Sequence, residues 1–104
     1  MAKVFVINDS GQDFKKAKRF GELVVVTSGR VPIFNGLTTC EEISKGLKDF
    51  DISEDYLLIV GPPMLTAFSV LEVAHKGPFI KVLMFDAKQQ NYTVRHLSTR
   101  KGDM

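Results

Sequence analysis

Five runs rich in β-branched and aromatic residues punctuate the chain, and most of the segments between them repeat their apolar positions every three or four residues. Residues 3–7 (KVFVI), 22–27 (ELVVVT), 56–60 (YLLIV), 79–85 (FIKVLMF) and 92–97 (YTVRHL) predict strands. The second is a continuous β-branched run, the pattern of a strand buried on both faces of a parallel sheet, until Ser28 and Gly29 stop it. The last two flank DAKQQN, a polar turn that predicts a hairpin.

Three helices are expected between the strands. After NDSGQD, Ser10 and Asp13 have the spacing of a capping box in its aspartate form. Phe14, Ala17 and Phe20 then fall within roughly 120° of arc, opposite Lys15, Lys16, Lys18 and Arg19, so the first helix is short with a basic outer face. Residues 30–37 (RVPIFNGL) lose the pattern at Pro32 and Gly36, leaving Val31, Ile33 and Phe34 to tuck down from a loop. Thr38 or Thr39 is expected to cap the second helix, with Glu41 or Glu42 at the matching third position. Its apolar stripe, Cys40, Ile43, Leu47 and Phe50, spans roughly 80°. The third helix starts at Pro63 and stops at Gly77-Pro78. Apolar residues surround it except for Thr66, Ser69 and Glu72, so it is either the central packing element or partly an interface.

Strands alternating with crossover helices place the first four strands parallel. The expected fold is α/β, a three-layer sandwich with a mostly parallel five-stranded sheet of order 2-1-3-4-5, the last strand antiparallel, and three helices. This is the flavodoxin-like winding cut short. One domain is expected over residues 1–97, with 98–104 (STRKGDM) a flexible basic tail.

Composition agrees with this picture and narrows the function classes. At 104 residues, with 44% apolar and 25% charged, the chain has the make-up of a single globular domain. The lone Cys40 excludes an internal disulfide, the first residues read as strand rather than leader, and no window is apolar enough to span a bilayer, so a cytoplasmic, membrane-free protein is expected. A net charge of +2 favours anionic partners mildly; a dedicated nucleic-acid binder is usually more basic.

The most specific candidate site is the carboxyl edge of the parallel strands, where loops and helix starts converge. It would gather Asn8, Asp9, Ser10 and Gly11 after the first strand, Thr27, Ser28, Gly29 and Arg30 after the second, and Gly61, Pro62 and Pro63 after the third. Free amides and Arg30 suit a phosphate or nucleotide. Against this, no GxGxxG or GxxxxGK[ST] motif occurs, the two prolines delete amides, and Asp9 repels an anion unless it holds a ribose hydroxyl. The competing reading makes these residues ordinary turns and caps.

The remaining candidates point to structure. Cys40 opens an apolar stripe and reads as a buried thiol rather than a nucleophile paired with His75 or His96. His75 falls at the negative end of the third helix, and His96 alternates with Val94 and Tyr92. The acids Asp49, Asp51, Glu54 and Asp55 read as solvated turn residues. Lys15, Lys16, Lys18 and Arg19, with Arg95, Arg100 and Lys101 elsewhere, form the basic surface available to a partner. No catalytic residue, metal or cofactor is assigned.

Ile7-Asn8, Asp13-Phe14, Ala17, Arg19-Phe20-Gly21, Thr27-Ser28-Gly29, Ser53-Glu54-Asp55-Tyr56 and His75-Lys76-Gly77 together resemble a group of small tailed-bacteriophage proteins without assigned activity. The chain departs from that group at Gly61-Pro62-Pro63, where its relatives carry small polar residues. The resemblance implies phage origin and an accessory role, and carries over no catalytic residue. Two readings follow. One is a non-enzymatic phage accessory protein of the infected cell's cytoplasm that binds a host or viral protein; the other is a nucleotide or phosphate binder at the carboxyl edge. Edge strands such as LVVV also invite a homo-oligomer.

Overall fold

The computed structural model describes residues 1–30 and 36–98. Strands β1 (Lys3–Asp9), β2 (Glu22–Ser28), β3 (Tyr56–Leu58), β4 (Phe79–Asp86) and β5 (Asn91–Ser98) form one sheet of order β2-β1-β3-β4-β5. The first four are parallel and β5 runs antiparallel to β4, as the sequence predicts. Helices α1 (Gly36–Gly46) and α2 (Pro63–Val73) and a 3-10 helix (Lys15–Phe20) make the crossovers.

The pleat of β1 divides the core in two. Phe5 and Ile7 point into a cluster with Ile43 and Leu47, which α1 brings, and Leu65 and Val73 of α2. Val4 and Val6 point the other way, to Phe14 at the start of the 3-10 helix, to Ala17 within it and to Leu58, Leu83 and Tyr92. Each fully buried aliphatic or aromatic side chain contributes about 1.5–3 kcal/mol. Two helices therefore cover one face and a single 3-10 helix the other.

That 3-10 geometry corrects the expected first helix. Apolar residues at 14, 17 and 20 repeat every three positions, and at three residues per turn they stack in line. Phe14 and Ala17 are buried and Phe20 half-buried, so the inward face is as expected. The capping box does not form: Ser10 Oγ and its backbone N–H both donate to Gln12 Oε1, and Asp13 Oδ1 accepts from Lys15 N.

Other expectations change with position in the sheet. β2 is an outer strand, so Val25 is 46% exposed instead of covered on both faces. α1 begins at Gly36, placing Thr38 and Thr39 inside its first turn. Its face against the sheet is centred on Thr39, Ile43 and Gly46; a Cβ on Gly46 would lie 2.8 Å from Val26 Cγ1. Cys40 lies roughly 90° round from that centre and is exposed, not buried. In α2 the buried row is Leu65, Ser69 and Val73. Ser69 enters the core because its hydroxyl donates to Leu65 O at 2.7 Å, leaving no polar atom unpaired. Ser69 is thus not part of an outer polar strip, and Met64 and Leu71 face outward. Val31, Ile33, Phe34, Arg100, Lys101 and the rest of the expected tail beyond Ser98 lie outside the described residues.

Two lysines and one acid tie the connections down. Lys76, in the 3-10 turn Ala74–Lys76 after α2, donates through Nζ to Leu47 O, Lys48 O and Phe50 O at 3.2, 3.1 and 3.0 Å. An ammonium has three donors, and here they close the carbonyl end of α1. This role was expected of His75 on its own helix; His75 is exposed. Lys81 Nζ donates to Ser53 O and Glu54 O and stands 4.5 Å from the centre of the Tyr56 ring. Asp55 is buried, not solvated; its carboxylate accepts Lys3 N and Asp51 N, each at 2.8 Å.

Replacing Lys76 by Met keeps the aliphatic stem and removes the three donors. Chemical denaturation is expected to show a loss of about 1–2 kcal/mol, whereas His75→Ala leaves the midpoint within about 0.5 kcal/mol.

Candidate functional site

β1 and β2 end in register, Asn8 opposite Thr27 and Asp9 opposite Ser28, so the rim expected from sequence is assembled. Asn8 and Thr27 are buried there. Asn8 Nδ2 donates to Thr27 Oγ1 and Gly29 O at 3.0 Å each, and Thr27 Oγ1 donates to Ile7 O at 2.6 Å. Gly29 N donates to Asp9 O at 2.8 Å. Gly61 closes the group from the end of β3 at φ +95°, where a Cβ would lie 2.7 Å from Asn8 Cβ. Only glycine combines that backbone with that approach.

The other rim residues serve their own turns. Asp9 Oδ1 accepts Gly11 N at 3.0 Å, an Asx turn. Leu65 N donates to Pro62 O at 3.0 Å, folding the first turn of α2 onto the proline that precedes it. Ser10, Gly11, Ser28, Gly29 and Arg30 are exposed. The structure thus brings Asn8, Thr27, Gly29 and Gly61 together and leaves Ser10, Ser28 and Arg30 at the surface.

Of the basic residues, Lys16 Nζ donates to Gln90 O and Arg19 Nη2 to Tyr92 O, fastening the 3-10 helix to the β4–β5 hairpin. Arg19 also lies 4.6 Å from the centre of the Phe20 ring. Lys15 and Lys18 face solvent. Between the helix and the hairpin runs an open groove of about 590 Å³ lined by Lys15, Lys16, Arg19, Gln89, Gln90 and Asn91.

Beside it is a cleft that the sequence reading missed. Gln12, Asp13 and Phe14 meet Val60, Phe85 and Tyr92 around about 270 Å³. Phe85 packs edge-on against Tyr92, ring centres 5.3 Å apart at 70°. Burial, helped by the nearby Asp13 carboxylate, pushes the Tyr92 phenol above its ordinary value of 10.0. The available signal was Met84-Phe85: adjacent large apolar residues on a strand point to opposite faces, and both are exposed.

Cys40, His75 and His96 are exposed on three separate elements. Among the described residues no three His, Cys, Asp or Glu side chains gather as metal ligands. Asp51 Oδ1 accepts both Ser53 N and Ser53 Oγ, and these bonds hold its carboxyl below the ordinary 3.8.

A family model described as Phage Pam3 gp32-like protein matches residues 2–99. No curated protein and no solved structure matches the chain. No helix among the described residues is long and apolar enough to cross a membrane.

Asn8→Ala is expected to cost about 1–3 kcal/mol, because it removes the donor shared by Thr27 Oγ1 and Gly29 O, while Ser28→Ala is neutral; thermal denaturation separates them. Ser53→Ala is expected to raise the Asp51 pKa toward 3.8 in an NMR titration. A depressed carboxyl stabilises the fold above its unfolded pKa and loses that contribution as pH falls through the folded one. The stability difference between wild type and variant is therefore present at neutral pH and vanishes in acid below both values.

Proposed function

The chain belongs to the Phage Pam3 gp32-like protein family, and from this premise we propose that it is a non-enzymatic accessory protein that binds a host or viral protein in the cytoplasm of the infected cell. The carrying observation is the exposure of large apolar side chains: Leu71 at 73% and Met64 at 47% on α2, and Phe85 at 50% beside the cleft. Such side chains lower the free energy of the system when a partner removes them from water. The buried rim polar groups support the same reading, since Asn8 and Thr27 spend their hydrogen bonds inside the fold.

The nucleotide or phosphate reading rests on Ser10, Ser28 and Arg30, which remain exposed at the convergence of the strand ends. A second copy adding to the outer edge of β2, where residues 23–27 carry no charge, is compatible with either.

Thermal denaturation with ATP, GTP, NAD, FMN and inorganic phosphate in turn is expected to leave the midpoint unchanged, because a ligand held by the folded chain would raise it. A rise abolished by Arg30→Ala would reverse the order of the two readings. In capture from infected-cell lysate, a partner held by wild type should be lost from Leu71→Gln/Met64→Gln or from Phe85→Ala, with unchanged folding.

A further inference from the structure

We propose that the Phe14–Val60–Phe85–Tyr92 cleft and the adjoining basic groove together receive one extended segment of a protein partner, an aromatic side chain entering the cleft and neighbouring acidic side chains lying over Lys15 and Lys16. This rests on the protein-binding reading and names its site and the chemistry of its partner.

Size comes first. Small-molecule sites enclose about 300–1,000 Å³ and bury most of their ligand; the groove, though about 590 Å³, is open to solvent, and the cleft beside Phe85 holds about 270 Å³. The cleft is on the scale of one large side chain, the form taken by the anchors that dominate protein interfaces. Phe14 and Tyr92, each only 7% exposed, make a firm floor. Phe85 stands against Tyr92 as the wall of a T-shaped pair, with half its surface still unpacked.

Charge fixes what flanks the anchor. The cleft and groove adjoin through Phe14-Lys15 and Asn91-Tyr92, neighbours in the chain. Lys15, Lys16 and Arg19 line the groove and Lys18 and Lys88 neighbour its lining residues in the chain, against Asp13 in the cleft and Asp86 next to Phe85. Both acids already accept main-chain N–H groups, Asp13 from Lys15 and Asp86 from Lys88 and Gln89. Five cations against two acids leave a positive excess even though Lys16, Arg19 and Gln90 each already spend a donor on a main-chain carbonyl, and that excess complements carboxylates.

A nucleic acid fits less well. Tracking a strand needs successive exposed ring faces, and of the three rings here Phe14 and Tyr92 are buried and only Phe85 is half-exposed.

The test is selection of a random-peptide display library on the full chain, then titration of an enriched peptide into the labelled protein by NMR. The expected peptides pair an aromatic residue with nearby Asp or Glu, and shift amides at residues 13–19, 85 and 89–92. Phe85→Ala should weaken binding about tenfold or more, and Lys15→Glu severalfold with loss of salt dependence, both with otherwise unchanged spectra. Enrichment of nothing, enrichment without that pairing, undiminished binding by Phe85→Ala, or displacement by a single-stranded oligonucleotide overturns the proposal. So does a chain that self-associates through Phe85 in light scattering. Peptides mapping to residues 64–71 would overturn this site while leaving the protein-binding reading intact; failure to retain any partner in both selection and lysate would remove that reading as well.

Discussion

Interior strand β1 is the constraint on which the other elements depend. It pairs with β2 on one side and β3 on the other, both parallel, so neither side of its backbone faces water. Its side chains from Val4 to Asn8 are all buried, alternating between the two faces of the sheet. A slip of one residue would exchange Phe5 and Ile7 with Val4, Val6 and Asn8, driving an amide into the layer beneath α1 and α2. The register of β1 thus selects which helix lies on which face. It also sets where the strand ends meet, because Asn8 must arrive opposite Thr27 for its amide to be satisfied.

The polar residues that carry the likeness to phage proteins act on this same frame. Asn8, Thr27 and Gly29 bind β1 to β2 at one end; Asp55 binds Lys3 and Asp51 at the other. Tyr56 sits between the Phe20 ring and the Lys81 ammonium, joining the 3-10 helix to β3 and β4. Lys76 holds the end of α1. A resemblance read from such residues reports a shared architecture before it reports any chemistry.

Strand order was legible because short parallel crossovers leave few alternatives, and the hairpin announced its direction through DAKQQN. Side-chain placement was less so wherever one residue's fate depends on a neighbour's approach. Gly46 lets α1 touch Val26 and rotates Cys40 outward; Ser69 enters the core by bonding its own helix; the three-residue spacing of Phe14, Ala17 and Phe20 fits both an α and a 3-10 reading until the chain length between β1 and β2 decides. At the rim, the sequence identifies the residues that meet, but not that Asn8 and Thr27 turn their hydrogen bonds inward or how closely Gly61 approaches Asn8. The aromatic cleft is harder still, because Phe14, Val60, Phe85 and Tyr92 come from four segments that no local pattern connects.

A five-stranded sheet offers two broad faces, and this chain has few residues with which to cover them. Helices α1 and α2 each run for 11 residues on one face, while the opposite face has a 3-10 helix of 6. At about 2 Å rise per residue the shorter helix is some 12 Å long, against about 16 Å for each of the two helices on the other face. Lys16 and Arg19 draw it toward the hairpin, yet Phe85 at the end of β4 still lies beyond its cover. The exposed ring, the cleft beside it and the basic groove therefore share one cause: a layer too short for the sheet it covers. In a small domain such a deficit puts part of the apolar core's edge at the surface, where another protein's side chain can complete the packing.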